Sequence, residues 1–374
     1  VRSGGALIVG AGGSALDTVV SSGAVVSATA GGIWSGTYVS SGGFEFVGNG
    51  SAVGTTVGLG GTEYVWLGGV ASNTTVLGGG IETIASTGQT IGLILSGGTA
   101  NVSSGGVASN TAIYAGGSAN VLAGGSAASV AIGFGGFMTV SSGAGLATAA
   151  VSSGGILQLM GGAAATGMTF ASGGALQVGS GYVLSGATLA VGEIVRVAGF
   201  GSAVALTIGT GNQDIVLQGG IATGITLGSG GVEALSGGTA SGTSIGGGGI
   251  EYVSSGGLAS AVTVAGGGVQ YVALGGTANG TIVSSGGQEV VQSGGLASGG
   301  TVGLGGRLDV SAGGSAIGIT LAGVVLYRQA AFHQSLFVEG LSPLDPVFDS
   351  WRTRLAETGL TPGQIPARLG QLVT

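Results

Sequence analysis

Six glutamates recur along the chain at nearly constant spacing. Neighbouring members are 18, 19 or, in one case, 38 residues apart, and the six are Glu45, Glu63, Glu82, Glu233, Glu251 and Glu289. If chain segments of that length stack on one another, consecutive carboxylates lie about 5 Å apart. Calcium would relieve the repulsion within such a ladder, because it binds carboxylate oxygens. The alternative is a solvated polar stripe, and that is the arrangement we expect.

All six glutamates occupy the fourth position of a repeat with the consensus GGxxxVxxGGxAxxxxVxx. Seventeen units begin near residues 4, 23, 42, 60, 79, 97, 116, 135, 154, 173, 192, 211, 230, 248, 267, 286 and 305, with thirteen intervals of 19 residues and three of 18. Low-complexity sequence does not keep its phase over such a length, so the repeat indicates a regular stack of short units.

Two apolar columns run through the repeat, at its sixth and seventeenth positions, and predict two buried strand faces in each unit. In the unit "GGIEYVSSGGLASAVTVAGG" these positions are Val253 and Val264, and Ala259 stands at the usual alanine of position twelve. Position fourteen favours residues that tolerate left-handed backbone, such as Asp17, Asn73 and glycine, so we place a turn there.

The segments between these turns are too short for helices and suit strands. A strand so short cannot bury its face alone, and each unit must therefore stack on its neighbours. The predicted fold is all-β, a parallel β-solenoid of about 17 coils over residues 1–323. Proline supports the boundary, because all four prolines lie after residue 340 and proline cannot donate to a sheet ladder.

The position of the glutamates within the coil poses a difficulty. Position four has the same parity as the buried position six, and strict alternation would place the carboxylates inside, where unpaired charge is very costly. We expect the preceding glycine pair to turn the backbone so that position four lies at a corner. Solvent, a bound cation and the interior all remain open as surroundings of these side chains.

Residues 324–374 change to helical signals and predict a short α-helical C-terminal segment that caps the last coil. Asp345 and Pro346 suit the start of a helix, and Gly359 suits its end. A solenoid end exposes unpaired backbone groups, which such a segment would cover.

Composition argues against several functions. The single histidine, His333, lies in the tail, lysine is absent, and the solenoid contains three arginines, Arg2, Arg196 and Arg307. Glycan-cleaving solenoids need clustered acids and bases, so we predict no enzyme and assign no catalytic, cofactor-binding or metal-ligating residue. A net charge of −7 disfavours nucleic acid, and no apolar run is long enough to insert into a membrane.

The units "GGIEYVSSGGLASAVTVAGG", "GGVQYVALGGTANGTIVSSGG" and "GGQEVVQSGGLASGGTVGLGG" resemble the 19-residue repeats of AIDA-type self-associating autotransporter adhesins of Gram-negative bacteria. The resemblance covers about residues 4–323. It implies a secreted or surface-exposed β-helical passenger that mediates aggregation, adhesion and biofilm formation and is often glycosylated on Ser and Thr. The helical tail departs from that family, whose members end in a membrane β-barrel.

The expected function is that of an extracellular adhesive protein whose partners are further copies of itself and glycans or other surfaces. Low charge weakens repulsion between copies, and ladders of Ser, Thr and Asn can make many weak hydrogen bonds. A second possibility is a filament or surface-layer subunit that assembles end to end. A polysaccharide-processing enzyme is a minor third.

Overall fold

The computed structural model of the chain describes residues 1–187 and 189–322, and all its regular elements are short β-strands. They form a parallel β-solenoid of about 17 coils, as the repeat predicts. Each coil contributes a first, a second and a third strand, one more than the two faces inferred from the apolar columns. The predicted boundary after residue 323 and the helical tail lie outside the described residues and stay predictions.

Strands of the same rank stack on one another in three series. The first strands are Ala6–Val9, Val25–Thr29, Phe44–Gly48, Thr62–Trp66, Ile81–Ile84, Thr99–Val102, Ser118–Val121, Phe137–Val140, Ile156–Leu159, Ala175–Val178, Ile194–Val197, Gln213–Leu217, Val232–Ser236, Ile250–Ser254, Val269–Val272, Gln288–Val291 and Arg307–Val310. The second strands are Ser14–Leu16, Ile33–Ser35, Ser51–Val53, Val70–Ser72, Gln89–Ile91, Val107–Ser109, Ser126–Ala128, Gly145–Leu146, Ala164–Ala165, Val183–Ser185, Ser202–Val204, Ile221–Thr223, Thr239–Ser241, Leu258–Ser260, Thr277–Asn279, Leu296–Ser298 and Ser315–Ile317. The third strands are Val19–Val20, Tyr38–Val39, Thr56–Val57, Thr75–Leu77, Ile94–Ser96, Ala112–Ile113, Val130–Ile132, Ala149–Val151, Met168–Phe170, Thr207–Ile208, Thr226–Leu227, Ser244–Ile245, Thr263–Val264, Ile282–Val283, Thr301–Val302 and Thr320–Leu321.

The coils divide into two compact units. Unit 1 consists of Val1–Val204, Gly211–Ile215 and Gly219–Ile221, and unit 2 consists of Ala205–Thr210, Val216–Gln218 and Ala222–Thr374. Within each unit, residues at equivalent repeat positions pair in register, as Val47 does with Val65 in unit 1 and Val253 with Val272 in unit 2. Every position of the repeat therefore becomes a column along its unit.

The interior is formed by five columns, at positions four, six, twelve, fifteen and seventeen of the repeat. Val253, Ala259 and Val264 are all fully buried, which confirms the predicted inward contacts. Position twelve also admits larger side chains, because a smaller residue can compensate for them in the same coil. Trp34 is fully buried there, in a coil whose sixth position is Ala28 instead of the usual valine.

The glycine pairs form the corners, and their two members serve different purposes. The first has a positive φ, as at Gly248 (86°) and Gly256 (82°), which side-chain-bearing residues rarely adopt. The second lies against the backbone of the preceding coil, and a Cβ on Gly257 would lie 2.7 Å from the carbonyl oxygen of Leu235. The turn predicted at position fourteen is also confirmed, with φ of 44° at Asp17 and 55° at Asn73.

We expect Gly276→Ala to lower the free energy of unfolding by about 1–3 kcal/mol, the usual cost of overpacking. Its new Cβ would overlap the carbonyl oxygen of Val253, which already accepts a hydrogen bond from the Ala273 amide at 2.8 Å. Chemical denaturation measures the change. Gly209→Ala is the matched control, because no atom lies within 4 Å of its added Cβ. Equal destabilisation by both variants would contradict the close-approach argument.

Candidate functional site

The six repeating glutamates all point into the solenoid. Glu45, Glu63, Glu82, Glu233 and Glu251 are 0% exposed and Glu289 is 1% exposed. Both the expected solvated stripe and the corner placement are therefore wrong. The glycine pair does turn the backbone, but the turn ends before position three, and from there the first strand alternates inward and outward in the ordinary way.

Unit 1 contains ladder 1, which consists of Glu45, Glu63 and Glu82. Glu63 pairs in register with both neighbours, which puts the three carboxyls on consecutive strands at about the 4.8 Å strand spacing. The column is apolar on both sides of the ladder, with Val26 before it and Ala100 after it.

A column of buried threonines provides the polar surroundings of ladder 1. Thr90 donates a hydrogen bond from Oγ1 to Oε1 of Glu82 at 2.6 Å. The hydroxyls of Thr37 and Thr55 act on Glu45, although neither forms a hydrogen bond of good geometry with it. Among the described residues, no group donates a hydrogen bond to either carboxyl oxygen of Glu45 or Glu63.

Unit 2 contains ladder 2, which consists of Glu233, Glu251, Gln270 and Glu289 in consecutive coils. Gln270 donates from Nε2 to Oε2 of Glu251 at 2.7 Å and accepts a hydrogen bond from the Thr281 hydroxyl at 3.0 Å. Thr243 donates to Oε2 of Glu233 at 3.0 Å. The amide of Gln270 thus supplies donors where ladder 1 has a third carboxyl.

Burial makes these carboxyls weak acids. It raises the pKa of Glu45 and Glu82 to about 7 in ladder 1, and that of Glu251 and Glu289 to about 7 in ladder 2, while threonine or glutamine partners oppose the rise at the first three. The cause is loss of hydration, which penalises the charged form.

The middle of each carboxyl run is affected more strongly. Burial, followed by the charges of Glu82 and Glu45, raises the pKa of Glu63 well above its ordinary value. Burial and the charge of Glu251 do the same for Glu233. Two like charges about 5 Å apart repel by about 3 kcal/mol at an effective dielectric constant of about 20. Neighbouring carboxyls therefore resist ionising together, and they are neutral acids below about pH 7.

The ladders do not offer a calcium site. Among the described residues, no group of three or more Asp, Glu, His or Cys side chains is placed to hold a metal ion. Each coil contributes one carboxyl to a straight column, so three carboxyls do not converge on one point. Their burial also keeps them from any polysaccharide substrate, and enzymatic use of these residues gains no support.

Sequence reasoning missed several members of these columns. Asp214 and Gln270 also stand at position four and are fully buried. The threonines escaped notice because only the apolar residues were aligned by repeat position. Aligning the polar residues with the same 19-residue period places Thr37, Thr74 and Thr281 together at position fifteen, so the sequence did contain the signal.

We expect the free energy of unfolding to fall as the pH rises from about 4.5 to above 7. In that range the folded chain, with carboxyl pKa values near 7, holds protons that the unfolded chain releases. The stabilisation is complete below the unfolded pKa and is lost as the pH passes the folded one. Each such group contributes up to about 1.4 kcal/mol per pH unit, and denaturant midpoints between pH 4 and 9 measure the slope.

Glu63→Gln should flatten this slope and stabilise the protein at pH 8, because it reproduces in ladder 1 the amide that Gln270 provides in ladder 2. Asp17→Asn, an isosteric change at an exposed side chain, is the control and should leave the slope in place. Stability that increases with pH, or an unchanged slope in Glu63→Gln, would show that the carboxyls ionise in the folded state.

Two solved structures are similar to this chain. The crystal structure of a hyper-glycosylated TibA fragment, whose glycosylation TibC catalyses, is 33% identical over 84% of this chain and 100% of that one, with a TM-score of 0.37. That of the Dettilon tailspike protein is 11% identical over 85% of this chain and 61% of that one, with a TM-score of 0.16. Neither superposition is close enough to carry an argument about geometry. No protein-family model and no curated protein matches the chain.

The outer faces differ from the interior in having few charges. In the described residues, the outward Arg, Asp and Glu side chains are Arg2, Asp17, Glu193, Arg196, Arg307 and Asp309. Arg307 and Asp309 neutralise each other in an ion pair of 2.8 Å. No helix among the described residues has the length and hydropathy needed to cross a bilayer.

Proposed function

We propose that this chain is an extracellular adhesive protein that associates side by side with further copies of itself. The observation that carries the proposal is the outer face of the second strands in unit 1. Apolar side chains zigzag along that face, and the row consists of Leu16, Ile33, Val53, Val70, Ile91 and Val107. Leu16 is 69% exposed and Ile33 46%.

Small polar residues fill the alternate places of the same face. In register, Leu16 pairs with Ser35, and Ser35 pairs with Val53. Ser72 lies between Val53 and Ile91. A face that alternates large apolar and small residues can interdigitate with an identical face, and none of these side chains is charged, so copies approach without repulsion. Soluble proteins seldom expose such a row unless it binds a partner.

The repeat sequence supports the extracellular setting, because it resembles the 19-residue units of self-associating adhesins. The absence of cysteine suits a protein outside the cell, where an unpaired thiol is a liability. Glycosylation, biofilm formation and the identity of any host surface remain predictions from that resemblance.

Sedimentation velocity of the full chain should reveal association that increases with protein concentration. Because the contact is apolar, raising the salt concentration should not weaken it. The double variant Val53→Lys/Ile91→Lys should shift the association constant by at least tenfold toward monomer, since each lysine places a charge in the contact.

The matched control is Ser41→Lys/Ser104→Lys, which adds the same charge at exposed corners and should associate like the wild type. Association that is lost equally in both variants would make net charge, not this face, the determinant. Electron micrographs with end-to-end fibres and no lateral pairs would contradict the proposal and favour a filament subunit.

A further inference from the structure

The outer face of the first strands in unit 1 carries a cluster of aromatic rings, the aromatic patch, formed by Phe44, Phe46, Tyr64 and Trp66. Phe44 and Phe46 stack at 6.4 Å between ring centroids. Tyr64 lies 6.0 Å from Phe46 and 6.0 Å from Trp66, in a tilted and an edge-on arrangement. Phe44 is 41% exposed and Trp66 38%, so the rings offer a surface to solvent.

The patch is held in place by the coil beneath Trp66. Trp66 pairs in register with Gly48 of the preceding coil, and a Cβ on Gly48 would lie 2.8 Å from the indole Nε1. Gly48 therefore leaves the space in which the indole lies flat along the sheet. The rings do not contribute to the interior, because the residues between them, Glu45 and Val65, face inward.

A row of hydroxyl and amide side chains continues the column of Phe46 and Tyr64 over the next six coils. This amide row consists of Thr83, Asn101, Asn120, Thr139, Gln158 and Gln177. Asn120 donates from Nδ2 to Oδ1 of Asn101 at 3.0 Å, and Thr139 donates to Oε1 of Gln158 at 3.3 Å. Each amide has further donors and acceptors that these bonds do not use, and all six side chains are partly exposed.

Charge narrows the class of partner. Neither the aromatic patch nor the amide row contains a charged side chain, and the first one in this column is Arg196, next to Gln177. The chain as a whole carries a net charge of −7, which disfavours a polyanion. A polycation would find no carboxylate in the strip, and an apolar protein face would leave the amides without partners.

We propose that this strip binds a linear neutral polysaccharide, laid along the column across successive coils. Sugar rings present C–H faces to aromatic rings and hydroxyls to amides, and both kinds of group are arranged here in one line. The coil spacing of about 4.8 Å is close to the length of one pyranose ring, so successive sugars meet equivalent side chains. The contact lies on the first strands, and it is separate from the second-strand face proposed for self-association.

Isothermal titration of the full chain, at a concentration where it is monomeric, tests this inference with three probes: cellohexaose, maltohexaose and an oligogalacturonate of the same length. At least one neutral probe should bind and the anionic one should not. Trp66→Ala and Asn120→Ala should each weaken binding at least tenfold, whereas Trp66→Phe, which keeps a ring, should retain most of the affinity.

Tyr114→Ala is the matched control, since it removes a ring that is 53% exposed outside the strip, and its dissociation constant should stay within twofold of the wild type. Thermal melting confirms that each variant is folded. The inference is overturned if neither neutral probe binds, if oligogalacturonate binds equally well, or if folded Trp66→Ala and Asn120→Ala bind like the wild type. Self-association that is lost in Trp66→Ala would instead make the strip a contact between copies, whereas normal self-association with lost glycan binding separates the two proposals.

Discussion

The in-register stacking of parallel coils is the constraint on which the rest of this structure depends. Because each coil is 18 or 19 residues long, every residue lies beside its own equivalent in the next coil, and a preference at one repeat position becomes a column. The glycine pairs make this register geometrically possible. Their first members adopt positive φ at the corners, and their second members allow adjacent coils to approach within backbone contact.

The same constraint explains the interior carboxyls. A column cannot alternate between inside and outside without breaking the strand, so a glutamate at position four is buried with the valines and alanines of the other coils. The solenoid accommodates it by keeping it neutral and lining it with threonines, which is less costly than ionising it in a dry interior. The outer faces have the opposite character, since rings, amides, serines and aliphatic side chains form columns there almost without charge.

Much of the fold could be predicted from the sequence, because the signals were local and repeated. The glycine spacing predicted the coil, the turn at position fourteen followed from Asp17 and Asn73, and the inward positions of Val253, Ala259 and Val264 followed from the apolar columns. Glu251 was misplaced although its parity pointed inward, because the cost of burial was assessed for an ionised carboxylate. Protonation and the threonine partners depend on which coils face each other across the interior, and the third strand is too short to leave a pattern of its own.

The protonation state of the ladder carboxyls is the most direct measure of this account. Carbon-13 NMR of the glutamate Cδ atoms, assigned through Glu→Gln variants, reports it residue by residue while the protein stays folded. We predict titration midpoints near pH 7 for Glu45, Glu82, Glu251 and Glu289, with a higher midpoint for Glu63. Midpoints near the ordinary value of 4.5 would mean that these carboxyls reach water, and would contradict a solenoid whose register holds them inside.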